Sequence, residues 1–334
     1  DGWRRRPSHY EAADRGAAWR VHFQEQPYRG ILRLQAASAQ TLLAINDLPI
    51  EAYLEGLLQA EMSGGWPEQA LKAQAIAGRS YAYAHKYDSA TRPFDLRDGG
   101  PDPTYRGTGR GSLTIDAAVL ETHGQILTVA GEPFVAHFHA ASGGYTASIT
   151  DLDPQASTVV QHLPLTDVMR ARSDPWHERG IVATDSADTH GRLEVELLMS
   201  RLREILGDLG HEVWPNRIEA VRHGDGSNRV ASVFIRVWNG ARQPVFPDLE
   251  MTGHEFRQLV GPDVIRSTLW LEGPERPQEA GEEQQPRFRF VTAGWGHGVG
   301  MSQISAFAMA EAGWDARRVL AFFYNGAQIE RHWW

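Results

Sequence analysis

One acidic side chain in this sequence lies where an apolar residue is expected. Ile50, Leu54 and Leu57 recur at the spacing of one helix face, and Glu61 falls on the same apolar stripe. Apolar surroundings disfavour the charged form of a carboxyl group, and a general acid must hold a proton near neutral pH. Glu61 is therefore a candidate general acid, although a glutamate at the end of a helix can also turn outward into solvent.

A second helical segment, over residues 67–86, follows a short glycine turn and contains two basic residues. Lys72 and Arg79 are seven residues apart and share a face, which suits either ligand binding or a solvated basic edge. Tyr81 lies on another face. The many alanines around Gly78 predict close packing on several sides, because a glycine otherwise destabilises a helix interior.

Two histidines lie two residues apart in a predicted strand. The side chains of His137 and His139 would project to the same face, which suits a pair of metal ligands. The chain has no cysteine, however, and no third ligand stands at a telling spacing. A packed or hydrogen-bonded strand histidine is the simpler interpretation, and we expect neither a metal nor another cofactor.

A glycine-rich segment in the last part of the chain could display a further histidine. Four glycines alternate with other residues over 294–300 and surround His297. Glycine lets the backbone approach a ligand closely. The lysine of a phosphate-binding loop is missing and the dinucleotide-binding spacing is not met, so the segment does not predict a nucleotide site. Ser302 precedes a helical pattern and can cap it.

Composition restricts the class of partner. The 334 residues have a formal net charge of −9, with no basic cluster beyond residues 4–6, which disfavours a nucleic-acid partner. No apolar run reaches the length of about 18 residues that a membrane helix needs. The absence of cysteine excludes disulfides and thiolate metal sites. We recognise no secretion signal, and the sequence opens as a mature or trimmed chain would.

Local patterns predict both helices and strands. Asn46 or Asp47 is expected to cap the first helix, and Thr252 with Glu255 forms a capping-box pattern before a later one. The other predicted elements are a helix over 192–209, a hairpin of 217–222 with 230–238, a strand over 264–271, and a solvated acidic loop over 272–287.

Three segments of the chain match the signatures of a known protein family. They are INDLPIEAYLEGLLQAEMSGGWPEQALKAQAIAGRSYAYAHK over residues 45–86, a His139, Ser142, Gly143, Gly144 and Thr146 pattern, and GHGVGMSQ over residues 296–303. Together they resemble the SpoIID/LytB family, whose members act on bacterial peptidoglycan. The resemblance covers nearly the whole chain.

This resemblance implies a lytic transglycosylase whose catalytic residue is Glu61, the glutamate of the family's Glu-Met pair. Such an enzyme cleaves the bond between N-acetylmuramic acid (MurNAc) and N-acetylglucosamine (GlcNAc) and leaves a 1,6-anhydro end. The alternative is a non-catalytic, glycan-binding amidase enhancer. The residues expected to bind substrate are Lys72, Arg79, Tyr81, His139, Ser142, Gly143, His297, Ser302 and Gln303.

The same resemblance implies partners and a location. The substrate would be peptidoglycan glycan strands, preferably ones already stripped of their stem peptides. An N-acetylmuramoyl-L-alanine amidase is therefore an expected partner. Because peptidoglycan lies outside the cytoplasm, we expect an exported protein that acts in the cell wall or periplasm.

The expected architecture is an α+β fold. A mixed sheet with flanking helices would surround a substrate groove, and a β-rich region would be inserted in the middle of the chain. The expected divisions are an N-terminal arm over 1–20, a first part of the core with the helix pair over 21–150, a β-rich middle region over 151–290, and a last part of the core over 291–334.

Overall fold

The structure is a computed structural model that describes most of the chain in nine stretches. These are residues 21–23, 25–38, 40–88, 92–97, 102–107, 111–152, 165–210, 213–275 and 286–332. They form an α+β fold, which confirms the predicted class. The predicted arm over 1–20 lies outside the described residues, and the predicted domain boundaries stay predictions.

The chain divides into two compact units. Unit 1 takes the described residues up to Ala136 together with Asp315–Arg317 and the stretch from Gln328 onward, and unit 2 takes His137–Trp314 and Arg318–Ala327. Each unit is therefore built from separate stretches of the sequence.

The described residues up to His190 contain seven strands and six α-helices. They are β1 (Val21–Phe23), β2 (Gln26–Tyr28), β3 (Ile31–Ala36), β4 (Leu42–Asp47), α1 (Ile50–Glu61), α2 (Glu68–Asp88), α3 (Leu113–Glu121), β5 (Gln125–Val129), β6 (Glu132–Pro133), β7 (Phe138–His139), α4 (Leu165–Val168), α5 (His177–Ala183) and α6 (Ala187–His190).

The remaining described elements are mainly strands at first and helices later. They are β8 (Arg192–Leu198), α7 (Met199–Asp208), β9 (Trp214–Arg222), β10 (Val230–Trp238), β11 (Pro244–Thr252), α8 (Gly253–Val260), β12 (Trp270–Glu275), β13 (Arg287–Ala293), β14 (Met301–Ser302), α9 (Gln303–Glu311), α10 (Ala316–Phe323) and β15 (Gln328–Arg331).

Unit 1 is organised around the contact between α1 and α2. Leu54 and Leu57 of α1 are fully buried, as the apolar stripe predicts. A Cβ on Gly78 of α2 would lie 2.7 Å from Cδ2 of Leu57 and 3.2 Å from Cδ2 of Leu54. This confirms the prediction that Gly78 permits close packing. A three-stranded antiparallel sheet, in the order β15-β5-β6, completes the unit.

The predicted cap of α1 is wrong. Asn46 and Asp47 end strand β4, and the residue before the helix is Pro49, whose side chain makes no capping hydrogen bond. The Asn46 amide is used elsewhere: its Nδ2 donates to the carbonyl of Arg29 at 2.8 Å, and its Oδ1 accepts from the Tyr105 hydroxyl at 3.2 Å.

Unit 2 contains two antiparallel sheets with one shared apolar cluster. The sheet orders are β11-β10-β9 and β12-β13-β8. Residues of both sheets and of α7 and α8 form the cluster, which includes Trp270, Phe256 and Phe290. The predicted hairpin of β9 and β10 is confirmed, and so is the capping box of Thr252 and Glu255 at the start of α8.

Three predicted elements of unit 2 need correction. The predicted helix over 192–209 is strand β8 followed by helix α7, because the first residues alternate between exposed and buried positions. The predicted strand over 264–271 begins only at Trp270. The first part of the predicted acidic loop, 272–275, belongs to β12, whereas 276–285 lie outside the described residues.

Parallel and antiparallel pairings occur in different sheets. Within the described residues, β7 and β14 form a parallel pair in unit 2, and the other paired strands are antiparallel. Among the helices of those residues, none has the length and apolar character that crossing a membrane requires.

Candidate functional site

Glu61 is the last residue of α1, at the end of its buried leucine face. Its side chain is half-buried, and the residue after it, Met62, is buried. Oε1 of Glu61 accepts a hydrogen bond of 2.8 Å from the backbone N–H of Thr104. A negative charge at this end of a helix opposes the helix dipole. A carboxylate whose only role was to stabilise the fold would therefore be unfavourable at this position.

The turn that follows Glu61 is held by the start of α3. The carbonyl of Gly64 accepts from the Thr114 hydroxyl, and a Cβ on Gly64 would lie 2.3 Å from Oγ of Ser112. The Ser63 hydroxyl also accepts from the N–H of Gly65 at 3.3 Å. Glycine at position 64 thus permits the close contact that fixes this turn.

Tyr81 positions the segment that holds Glu61. The Tyr81 side chain is buried, and its hydroxyl donates to Oδ1 of Asp102 at 2.9 Å. Burial raises the pKa of Tyr81, and the Asp102 carboxylate raises it further. Asp102 lies two residues before Thr104, whose N–H bonds Glu61. Tyr81 therefore acts on Glu61 through the chain between Asp102 and Thr104.

Arg79 is fully buried, so the solvated-edge interpretation is wrong for this residue. Its Nε and Nη2 donate to the two carboxylate oxygens of Glu51 at 2.9 and 2.7 Å, and its Nη1 donates to the Gln125 carbonyl at 3.0 Å. Such a two-pronged pair is both strong and geometrically specific. It joins the first turn of α1 to α2 and β5.

Lys72 is largely enclosed by acidic partners. Its Nζ forms ion pairs with Glu68 and Glu121. It borders a cavity of about 240 Å³ inside unit 1, with Asp315 and Arg317 also in the wall. Glu61 is not part of that wall. Lys72 therefore balances two carboxylates on a face that does not include the candidate acid.

In unit 2, the second and third family-like segments are joined through their backbones. Ala141 and Trp295 exchange two hydrogen bonds of 2.9 Å, and the N–H of Ala147 donates to the carbonyl of Gly298 at 2.8 Å. The parallel pair of β7 and β14 continues this contact. Two segments that are about 150 residues apart in the sequence therefore form one loop cluster.

The alternate glycines of residues 294–300 are required by both conformation and space. Gly294, Gly296, Gly298 and Gly300 all have positive φ, from 71° to 109°. A Cβ on Gly300 would lie 1.9 Å from the His137 carbonyl oxygen, and one on Gly298 would lie 2.4 Å from Cζ of an arginine. Only glycine combines these φ values with such close approach.

Three histidines meet beside this loop. The ring of His297 lies 5.6 Å from the rings of both His137 and His139. The Val299 peptide groups fix two tautomers: its N–H donates to Nδ1 of His297, and its carbonyl accepts from Nδ1 of His139, each at 3.0 Å. Nε2 of His139 is buried and makes no hydrogen bond within the described residues.

The electrostatic surroundings keep these rings neutral. Burial, with a smaller contribution from the nearby cation Arg229, lowers the pKa of His139 to about 3. Burial also lowers the pKa of His297 well below its usual value, and His137, His139 and Arg257 add to this shift. The rings of His139 and His297 are therefore uncharged at neutral pH and can act as hydrogen-bonding groups.

A buried acid that the sequence analysis did not select connects the two loops. Oδ2 of Asp174 accepts from the hydroxyls of Ser142 at 2.7 Å and Ser305 at 2.6 Å. The Ser302 hydroxyl bonds to Ser305 at 3.0 Å and does not cap α9. Burial raises the pKa of Asp174, whereas these hydroxyls lower it. Ser142 and Ser302 are thus both part of a buried network. Gln303, the residue after Ser302, is also buried.

A buried cation that the sequence analysis also missed lies under the double-glycine loop. Arg229 is fully buried. Its Nη2 donates to the carbonyls of Ser142 and Tyr145, and its Nη1 donates to the hydroxyls of Ser267 and Thr268. These acceptors are all neutral. Nothing in the local sequence distinguishes Arg229 from a surface arginine.

The residues predicted to form the site are distributed over both units. Unit 1 contains Glu61, Lys72, Arg79 and Tyr81, and unit 2 contains His139, Ser142, Gly143, His297, Ser302 and Gln303. Gly143 has φ of 76°, and a Cβ there would lie 2.7 Å from Cδ2 of Leu269. Across the described stretches, no three histidine or acidic side chains are grouped as a metal site requires. The expectation of no metal stays a prediction.

Comparison with known proteins finds one matching family model and several similar proteins. Residues 38–129 match the family model SpoIID, described as stage II sporulation protein. An uncharacterized protein of Brachyspira hyodysenteriae is 27% identical over 86% of this chain and 68% of its own length. Stage II sporulation protein D of Bacillus subtilis is 25% identical over 86% of this chain and 76% of its own length.

The amidase enhancer of Bacillus subtilis is similar as well, with 24% identity over 83% of this chain. The matched region spans only 40% of that longer protein. These matches confirm the resemblance found in the sequence: residues 38–129 match the SpoIID family model, and the similarity to relatives named stage II sporulation protein D and amidase enhancer extends over most of the chain.

Proposed function

We propose that this protein is a peptidoglycan lytic transglycosylase that uses Glu61 as both its acid and its base. The observation that supports this most directly is the setting of Glu61. It is a half-buried carboxyl at the end of an apolar helix face, and one of its oxygens is held by the Thr104 N–H. A proton-transfer group must lie within hydrogen-bonding reach of the atom that it serves, and a fixed carboxyl favours such a position.

The reaction needs only one carboxyl group. Protonated Glu61 donates its proton to the oxygen that links MurNAc to GlcNAc, and the bond from that oxygen to the MurNAc anomeric carbon breaks. The resulting carboxylate then removes the proton of the MurNAc 6-hydroxyl as O6 bonds to the anomeric carbon. GlcNAc leaves with a free hydroxyl, the 1,6-anhydro ring closes, and Glu61 is protonated again.

The source of the nucleophile explains why a second acid is unnecessary. A hydrolase needs one carboxyl to protonate the leaving group and another to activate water or attack the sugar. Here the substrate's own 6-hydroxyl attacks. The buried Asp174 is engaged by two serine hydroxyls in unit 2 and is assigned no proton transfer.

The relatives support a role at the cell wall. One is named stage II sporulation protein D and another amidase enhancer. We infer that this protein acts outside the cytoplasm on glycan strands whose stem peptides an N-acetylmuramoyl-L-alanine amidase has removed. The amidase and this protein would then act in succession on one substrate.

The alternative is a non-catalytic amidase enhancer that binds glycan. The similarity to the amidase enhancer over most of this chain favours it. In that case Glu61 would contribute to binding or to the fold, and the protein would raise the rate of an amidase without releasing anhydro sugars.

The decisive experiment incubates the parent protein and Glu61→Gln with purified glycan strands that lack stem peptides. Mass spectrometry then detects 1,6-anhydroMurNAc ends. The substitution retains shape but cannot transfer the proton, so we expect product release to fall by at least about 10²- to 10⁴-fold. Glycan binding and melting temperature should stay near those of the parent.

Glu68→Gln is the matched control, because Glu68 is an exposed acid at the start of α2. It should release product at the parental rate. Release by Glu61→Gln at that rate would refute the mechanism. A parent that releases no anhydro sugar, but binds glycan or stimulates an amidase, would establish the alternative.

A further inference from the structure

Three aromatic side chains of unit 2 meet outside the apolar cluster of that unit. The ring centroids of Trp176, directly before α5, and Trp314, shortly before α10, are 5.2 Å apart, and those of Trp314 and Phe322 of α10 are 6.3 Å apart. All three residues are half-buried, whereas Trp270 and Phe256 of the apolar cluster are fully buried. Solvent therefore reaches part of this aromatic group.

Each of the three aromatic side chains has an arginine over its ring within cation–π distance. The pairs are Arg172 over Phe322, with Cζ 4.7 Å from the ring centroid, Arg179 over Trp176 at 5.1 Å, and Arg318 over Trp314 at 3.8 Å. Arg179 and Arg318 are exposed, and Arg172 is half-buried. We call these six residues, all of unit 2, the arginine–aromatic patch.

The balance of charge in the patch is positive, although the chain as a whole has a formal net charge of −9. The guanidinium groups of Arg172 and Arg179 form no hydrogen bond or ion pair with the described residues. Burial lowers the pKa of Arg172, and the neighbouring charge of Arg170 lowers it as well, whereas Asp174 raises it. Both oxygens of Asp174 already accept hydrogen bonds, and the exposed Glu178 offsets only part of the positive charge.

The patch is built on elements that are fixed to the rest of unit 2. The N–H of Trp176 donates to Oδ1 of Asp174 at 3.2 Å, which joins this tryptophan to the buried serine network. A Cβ on Gly180 of α5 would lie 2.3 Å from a backbone oxygen of α9, so these two helices are in close contact. Directly after α10, the Tyr324 hydroxyl donates to the His137 carbonyl at 2.6 Å. A surface that is already ordered loses little conformational entropy when it binds a ligand.

The combination of rings and cations selects a class of ligand. The apolar face of a sugar ring packs against an aromatic ring, and the planar fork of a guanidinium matches a carboxylate or a phosphate. A neutral glycan would leave the arginines without partners, and a polyanion without rings would leave the aromatic side chains uncovered. A polysaccharide with acidic groups at regular intervals makes both kinds of contact.

We propose that the arginine–aromatic patch binds an anionic polysaccharide, with sugar rings against its aromatic side chains and acidic groups on its arginines. The source of the polymer, the bacterial cell wall, rests on the proposed function. The patch contains neither Glu61 nor a residue of the glycine loop, so it retains the polymer and does not cleave it. Such binding would concentrate the protein where the wall is rich in anionic polysaccharide.

The test measures the affinity of the whole protein for a series of polymers by isothermal titration calorimetry. Polygalacturonate carries one carboxylate on each sugar ring, its methyl ester has the same rings without charge, and inorganic polyphosphate has charge without rings. We expect polygalacturonate to bind at least about tenfold more tightly than either, because each of the other two lacks one kind of contact. Single-stranded DNA, which combines charge with stacking bases, is the rival polymer.

Two substitutions examine the patch itself. Arg179→Gln should weaken binding of polygalacturonate about threefold to tenfold and leave binding of the methyl ester unchanged, because only a charged contact is lost. Trp176→Ala should weaken binding of both polymers, because the sugar rings lose a contact. The ligand series in the parent needs no variant, so it decides the matter even if Trp176→Ala does not fold.

A similar pair elsewhere in unit 2 provides the matched controls. Cζ of the exposed Arg203 lies 3.3 Å from the ring centroid of Trp214, which is also exposed. This pair lies outside the patch. Arg203→Gln and Trp214→Ala should therefore bind every polymer as the parent does.

Each outcome supports or overturns the proposal. Equal affinity for polygalacturonate and its ester, or for polygalacturonate and polyphosphate, overturns it, as do equal losses in Arg179→Gln and Arg203→Gln. Tighter binding of single-stranded DNA than of polygalacturonate would assign the patch to nucleic acid and also overturn it. Patch-dependent binding in a protein that releases no anhydro sugar leaves the patch standing and refutes the transglycosylase. Release without such binding does the reverse.

Discussion

Basic side chains have acidic partners in the helix pair of unit 1, whereas those in and beside the loop cluster of unit 2 have uncharged partners. In unit 1, Arg79 is paired with Glu51, and Lys72 is paired with two glutamates. In the loop cluster, Arg229 is held only by neutral oxygens, and Arg257 uses one donor on a carbonyl. Basic residues of the first kind stabilise their own unit, whereas those of the second kind retain a charge that can attract a ligand.

The difference separates structural from functional use of the same residue type. A paired arginine has its charge cancelled and its donors occupied, so it has little to offer a substrate. An arginine whose hydrogen-bond partners are neutral carbonyls retains its positive charge, because no carboxylate cancels it. By this criterion Arg79, although it matches a family signature, has its charge and its donors occupied within unit 1.

The largest expected effect comes from breaking the pair of unit 1. Arg79→Met would leave the Glu51 carboxylate without its partner in a largely buried place, at a cost of about 3–5 kcal/mol of unfolding free energy. The exposed pair of Arg201 and Glu204 provides the control, since Arg201→Met should cost less than about 1 kcal/mol. Urea unfolding of the two variants measures the difference. Similar losses for both would mean that the buried pair contributes no more than a surface pair.

A somewhat smaller effect is expected from the glycines of unit 2. Gly300 and Gly313 both have positive φ, but only Gly300 lies against another backbone. Gly313→Ala should cost about 1–2 kcal/mol from the unfavourable φ alone, whereas Gly300→Ala adds a steric clash and should cost about 2–5 kcal/mol in total. Thermal unfolding compares them. If the two variants melt together, the close contact with the His137 carbonyl is not a constraint.

The smallest expected effect is the loss of unfolding free energy at acidic pH. Burial lowers the pKa of His177 to about 4 and that of His139 to about 3. Between those values and the ordinary histidine pKa the unfolded chain binds more protons than the folded one, so stability is lost as the pH falls through this window. Each histidine contributes a slope of roughly 1 kcal/mol per pH unit.

His177→Gln should therefore flatten the dependence of unfolding free energy on pH below about 6.5. The exposed His22 serves as control, and His22→Gln should leave the slope unchanged. Chemical unfolding at a series of pH values measures both. An unchanged slope in His177→Gln would show that this ring is protonated without penalty in the folded protein.

Patterns within one element could be predicted from the sequence, whereas partners from distant elements could not. The apolar stripe of α1, the close packing at Gly78 and the capping box of α8 depend on residues a few positions apart. The partner of Arg79 is Glu51, which belongs to another helix and lies 28 residues away, so no local pattern reveals it. The carbonyl that Arg257 bonds likewise lies outside its own helix, nine residues further along the chain.

The misread region shows how a change of period hides an element boundary. Residues 192–198 alternate, with Val195 and Leu197 buried, and then Leu202, Ile205 and Leu206 follow at helical spacing. A sequence window that covers both segments therefore predicts one long helix over 192–209. The network of Asp174 was missed for a different reason: its serine partners lie 32 and 131 residues away.

The pairing of β15 with β5 determines which residues a shortened form of unit 1 has to contain. β15 pairs along one side of β5, although the paired residues Thr128 and Gln328 are 200 positions apart in the sequence. The region that matches the family model, 38–129, ends at β5 and includes neither neighbouring strand. A fragment cut to that region would expose the apolar Ile126 and Leu127 on an unpaired strand edge, which is a template for aggregation. A preparation of the helix pair of α1 and α2 should therefore retain Gln328–Arg331, because this strand completes the sheet of unit 1 and lies outside the region of the family match.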